Sequence, residues 1–107
     1  MLAGRQWQDQ IEIMPLSRVH LILVEDDDVD AEFVVRVLRR SGIGAPVTLF
    51  RDGLEAVQAL HGPQREWLMT RPLIILLDLN MPRLNGLEFL DVLREDPELK
   101  SAIVFVL

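Results

Sequence analysis

The stretch Ile74-Ile75-Leu76-Leu77-Asp78-Leu79-Asn80-Met81-Pro82-Arg83-Leu84-Asn85-Gly86 decides how this chain folds. Four aliphatic residues run straight into a carboxylate, and a Pro-containing loop follows that closes on Asn85-Gly86. An unbroken apolar run of this length reads as a strand covered on both faces. A charge at its tip needs a separate reason. Upstream, Val19-His20-Leu21-Ile22-Leu23-Val24 has the same character and also ends in acid, Glu25-Asp26-Asp27-Asp28.

Between and beyond these strands the pattern changes period. Ala31, Val34, Val37 and Leu38 recur at helical spacing, with acids before and arginines after them, as a helix dipole favours, until Gly42 and Gly44 stop the run. Val47 to Phe50 make a short second strand. Asp52-Gly53 opens a second helix with Leu54, Val57 and Leu60 on one stripe, ended by His61-Gly62-Pro63. A longer connection, residues 64–72, holds Trp67, Leu68 and Met69 and leads into the third strand, Leu73 to Leu77. A third helix is predicted over Leu87 to Glu95 on a stripe of Leu87, Leu90 and Leu93, with Pro97 forcing Asp96 out of helical torsions. Ile103 to Leu107 read as a fourth strand. The order βαβαβαβ implies an α/β fold with a parallel sheet and helices on its faces.

The bulk numbers narrow the function. A chain of 107 residues with 50% hydrophobic content fits one domain with a modest core. Its formal charge of −6 opposes a phosphate backbone, so nucleic acid is not an expected partner. With no cysteine there is no disulfide and no thiolate metal site. No apolar run approaches the roughly 20 residues that a bilayer span requires, so no membrane association is expected and a cytoplasmic protein is. Residues 1–18 read as an N-terminal extension and 19–107 as the domain. Met14 as the natural start, or a short ordered segment that caps a partner, are the alternatives for the extension.

Ligands of open parallel sheets bind beyond the carboxyl ends of the strands, where strand order reverses. If the first strand lies between the second and the third, Glu25, Asp26 and Asp78 converge there. Three ionised carboxylates at close range repel, so one takes a proton or a cation neutralises them. All-oxygen, hard donors point to Mg²⁺. Acids after a strand also cap helices, and Asp27 or Asp28 is expected to do only that.

Together the segments VEDDDVDAE and LLDLNMPRLNGLEFL make the chain, from Val19 to Leu107, resemble the receiver domain of bacterial two-component response regulators. The resemblance implies a flavodoxin-like open sheet of strand order 2-1-3-4-5. It also implies that Asp78 is the phosphoacceptor for the phosphohistidine of a sensor histidine kinase, and that the domain is not an enzyme in the usual sense. Asp26 then matches the direct Mg²⁺ ligand and Glu25 the second acid of the pocket, acting through water. Asn80 stands where the family supplies a backbone carbonyl to the metal, and Pro82 and Gly86 where residues shape the loop. The wording LLDLNMPR and the long connection are further similar to stand-alone receivers that partner bacterial phytochromes. Trp67 either covers the end of the second helix or faces such a partner.

The sequence departs from the family in stopping at Leu107, before the Thr or Ser that follows the fourth strand, the later Lys, and the family's fourth helix, fifth strand and fifth helix. The expectation is a fragment of a longer receiver, or a polypeptide that self-associates, as a homodimer for example, through the exposed edge of strand four, with phosphoryl transfer slowed. Two other functions compete: a truncated pseudo-receiver serving as a binding platform, and a Mg²⁺-dependent phosphohydrolase. The latter would need a proton donor where Asn80 stands.

Overall fold

The computed structural model describes residues 18–79, 81 and 83–107, so the readings attached to Asn80, Pro82 and residues 1–17 lie outside the described residues. Four strands, β1 (His20–Val24), β2 (Val47–Phe50), β3 (Leu73–Leu77) and β4 (Ile103–Val106), form one sheet in the order β2-β1-β3-β4. Every pairing is parallel. β1 therefore lies between β2 and β3, which is the condition for the acidic strand ends to meet. The two central strands are buried along their whole length, as their unbroken apolar runs require.

Alternation along these strands divides the core into two layers. Leu21, Leu23, Ile74 and Leu76 face helix α1 (Asp28–Arg40) through Ala31, Val34 and Leu38. Ile22, Val24, Ile75 and Leu77 face α2 (Gly53–Leu60) and α4 (Gly86–Glu95) through Ala56, Leu60, Phe89 and Leu93. Helix α1 starts where Asp27 accepts hydrogen bonds from the N–H groups of Val29 and Asp30. It stops at Gly42, whose φ of 78° is the left-handed turn that glycine adopts without steric cost. The connection of residues 64–72 contains a one-turn helix, α3 (Arg65–Leu68), which buries Leu68.

Two readings of the sequence shift. In α4 the buried stripe is Gly86, Phe89 and Leu93, while Leu87 is 64% exposed and Leu90 only partly buried. The physical reason is Gly86: a Cβ there would lie 2.6 Å from Leu79 Cα, so the helix must turn this residue, not Leu87, toward the sheet. Likewise α2 buries Gly53, Ala56 and Leu60, with Leu54 and Val57 at the margin, because Gly53 packs against the Leu84 backbone. Trp67 meets the ring of His20 in β1 edge-on, centroids 4.8 Å apart, and remains 59% exposed. His20 is itself buried, sharing a 2.8 Å hydrogen bond with Thr48 Oγ1 of β2.

Candidate functional site

The ladder continues one residue past the strand ends. The Glu25 N–H donates to Phe50 O at 2.9 Å, and the Asp78 N–H donates to Val24 O at 3.1 Å. Since Val24 pairs with Leu77, the residues that follow each, Glu25 and Asp78, stand side by side with both backbones fixed by the sheet. Carboxylate oxygens of Glu25, Asp26 and Asp78 all lie within 4.8 Å of one another. The convergence expected from two acidic strand ends is therefore present. Glu25 is only 5% exposed, Asp78 is half-buried and Asp26 faces solvent.

The other two acids of the run do different work. Asp27 caps α1, and its own N–H donates to Glu25 Oε2 at 3.3 Å, fixing that carboxyl. Asp28 pairs with the guanidinium of Arg51 at the rim. A tetrad that looks uniform in sequence is thus divided into two site residues, one cap and one surface ion pair.

Burial, followed by the shared hydrogen bond with Asp78 and the repulsion between the two, pushes the Glu25 carboxyl up to about 8. The shift favours the protonated form of Glu25 in the metal-free protein, which lessens the repulsion that a cation would otherwise neutralise. The donor set is carboxylate oxygen throughout, with neither imidazole nor sulfur, and one member is held back from ionising first by burial and then by its acidic neighbours. These features fit a hard divalent cation of the Mg²⁺ type.

The loop between Asp78 and α4 is tied at three places. At its end, Asn85 and Glu88 form a reciprocal capping box, with the Glu88 N–H donating to Asn85 Oδ1 at 3.0 Å and the Asn85 N–H to Glu88 Oε1 at 3.2 Å. At its base the Gly86 N–H returns to Leu79 O at 3.1 Å, and the close approach of Gly86 to Leu79 leaves no room for a side chain. At its apex Arg83 takes φ 65°, uncommon for a residue with a side chain, and its Nε donates to Asp52 Oδ2 at 2.6 Å. Asp52 is 6% exposed, and its other oxygen caps α2 by accepting from the Glu55 N–H at 2.8 Å. Burial alone would raise its carboxyl, but Arg83 and the helix N–H groups outweigh that and hold it below the usual carboxylate range. A Cβ on Gly53 would overlap the Leu84 carbonyl oxygen, so the apex rests directly on the first turn of α2. In the sequence Asp52 signals only the opening of α2, and nothing marks Arg83. The Asp-Gly pair was the available hint.

A family model described as the response regulator receiver domain matches residues 21–106. The chain belongs to the response regulator receiver family. Response regulator Rcp1 of Synechocystis sp. is 39% identical over 87 residues, covering 81% of this chain and 59% of that protein. Among solved structures, the bacteriophytochrome response regulator RtBRR aligns with a TM-score of 0.71 at 38% identity, over 81% of this receiver and 53% of that chain. The Mn(2+)-bound form of response regulator Rcp1 aligns with a TM-score of 0.69 at 36% identity, over 83% and 63% of the two chains. The receiver described here thus spans little more than half the length of the relatives it matches. The parallel sheet with helices on both faces is the flavodoxin-like fold of these neighbours. No described helix is long and apolar enough to cross a membrane.

Proposed function

We propose that this receiver accepts a phosphoryl group on Asp78 from the phosphohistidine of a sensor histidine kinase, with Mg²⁺ held by Asp26 and Asp78 and completed by Glu25. An Asp78 carboxylate oxygen attacks phosphorus, the P–N bond to the donor imidazole breaks, the imidazole takes a proton from solvent, and an acyl phosphate remains on the aspartate. When bound, Mg²⁺ supplies positive charge to the oxygens of the transferring group. The chain's own part is positional. The β1 and β3 ladders aim the carboxylates from two rigid strand ends, and Glu25, by giving up its proton, admits the cation.

The observation that carries this reading is the convergence of Glu25, Asp26 and Asp78 at the carboxyl edge of the central strands in a receiver fold. The relatives named as bacteriophytochrome response regulators support a phytochrome-type kinase as the donor, and the Mn(2+)-bound relative supports a divalent cation at the acids. We place the protein in the cytoplasm, not on nucleic acid or membrane, in keeping with its charge of −6 and absence of cysteine. It serves as a signalling module whose acyl phosphate is the message, not as an enzyme acting on a separate substrate.

Incubation with Mg²⁺ and acetyl phosphate tests the reading. Wild type is expected to gain a phosphoryl adduct labile to acid and to base, as an acyl phosphate is, and Asp78→Asn none. No adduct on folded wild type would favour a pseudo-receiver platform, and sustained multiple turnover of a generic phosphate ester would favour a phosphohydrolase.

A further inference from the structure

The loop of residues 79–85 is closed at its base, because the Gly86 N–H returns to Leu79 O immediately after Asp78. Its base is so tight that a Cβ on Gly86 would also stand 3.0 Å from the Asp78 carbonyl oxygen. This pin lies directly beside Asp78, and the ties made farther along the connection, through Arg83 and Leu84, come from outside it. The apex residues, Arg83 and Leu84, are the two that α2 holds, one by an ion pair and one by backbone contact with Gly53.

A helix cap needs one oxygen, and Asp52 Oδ1 provides it. The second oxygen reaches instead to a residue 31 positions away, and the guanidinium it meets is half exposed, so it is not there to fill the core. The neighbouring cation, Arg51, is committed to Asp28 and does not compete. Arg83 takes a left-handed torsion, and Asp52 is the partner that its side chain meets from that position.

Resting on the reading of Glu25, Asp26 and Asp78 as a Mg²⁺ site, we propose that Asp52 and Arg83 are positioning residues: their ion pair fixes the apex of the 79–85 loop and so sets how tightly the acid cluster takes a divalent cation. Mg²⁺ tolerates little departure from octahedral geometry, so a loop that rocks at Asp78 binds it less well. Field effects alone give a different pattern. Removing the Asp52 charge would weaken cation binding through space, while removing the Arg83 charge would strengthen it. Positioning weakens binding in both cases.

The test is calorimetric titration of Mg²⁺ into wild type, Asp52→Asn, Arg83→Gln, the double variant and Arg83→Lys, with circular dichroism confirming that each is folded. Asparagine keeps the cap of α2, and position 83 is exposed enough to tolerate glutamine. Each single variant is expected to bind Mg²⁺ roughly tenfold more weakly, the double variant no worse than the singles, and Arg83→Lys close to wild type. Arg36→Gln, which breaks an exposed pair with Glu32 on α1, is the control and should change nothing. Binding by Arg83→Gln as tight as wild type, or tighter, overturns the proposal while leaving the metal site standing. Absence of Mg²⁺ uptake by wild type would overturn both.

Discussion

At Glu25 the fold and the site pull against each other. The β1–β2 ladder fixes its backbone and burial favours its neutral form, while the proposed chemistry needs it charged beside a cation. Its folded-state pKa, about 8, lies above its ordinary value of 4.5, so between those values the folded protein holds a proton that the unfolded chain has lost. In a chelator, this group's contribution to stability is therefore complete below pH 4.5 and lost as pH rises toward 8. Thermal melts across that window should show the decline, and saturating Mg²⁺ should reduce it. Glu25→Gln should flatten the same limb and stabilise the metal-free protein at pH 8 by something on the order of 1 kcal/mol, allowing for solvent screening. The identity of this residue was legible because two apolar runs end in acid, and a carboxylate after a buried strand is costly without a purpose. Which of Asp27 and Asp28 caps the helix was not, since helix capping and ion pairing draw on the same residue types. The Asp52–Arg83 pair was invisible for a different reason: it joins residues 31 apart through a left-handed torsion that no sequence pattern announces.

Among the elements, α4 shows where periodicity misleads. Its sequence offers two stripes at helical spacing, and the one made of leucines is the more hydrophobic on paper. The structure chooses Gly86, Phe89 and Leu93 because the helix must bring its first turn against the Leu79 backbone, and only the residue without a side chain fits there. Glycine carries no hydrophobic signal, so a reading built on apolar spacing passes over it. Phe89→Ala should cost about 3–5 kcal/mol in chemical denaturation, whereas Leu87→Ser should stay within about 0.5 kcal/mol. The reverse order would restore the leucine stripe. Asn85→Ala, which removes half of the capping box, should cost about 1 kcal/mol.

On the scale of the whole molecule, the edge of the sheet that carries the acids is balanced by a clasp outside it. Arg65 of α3 donates two hydrogen bonds to Asp96 at the end of α4, at 2.7 and 3.2 Å, and His61 approaches the same carboxylate at 3.4 Å. The Arg65 hydrogen bonds, then the Glu98 N–H, hold the Asp96 carboxyl well below the usual range. A depressed carboxylate contributes stability above its ordinary pKa and loses it as pH falls. With Glu25 acting in the opposite sense, the metal-free protein should be most stable in mildly acidic solution, and Arg65→Gln should blunt the acid limb alone. In the described sheet β4 is an end strand, and Ile103 and Val106 on it are exposed. The βαβ order was readable from the alternation of strand and helix periods. The side-by-side placement of β1 and β3, on which the site depends, followed from the receiver resemblance, because strand order is a property of packing between distant segments.

The most direct measurement is chemical trapping of the aspartyl phosphate. After incubation with Mg²⁺ and acetyl phosphate, borohydride reduction and peptide mapping should mark Asp78 and no other carboxylate. A mark on Asp26 or Glu25, or none on a folded, Mg²⁺-saturated protein, would contradict the assignment of the acid cluster.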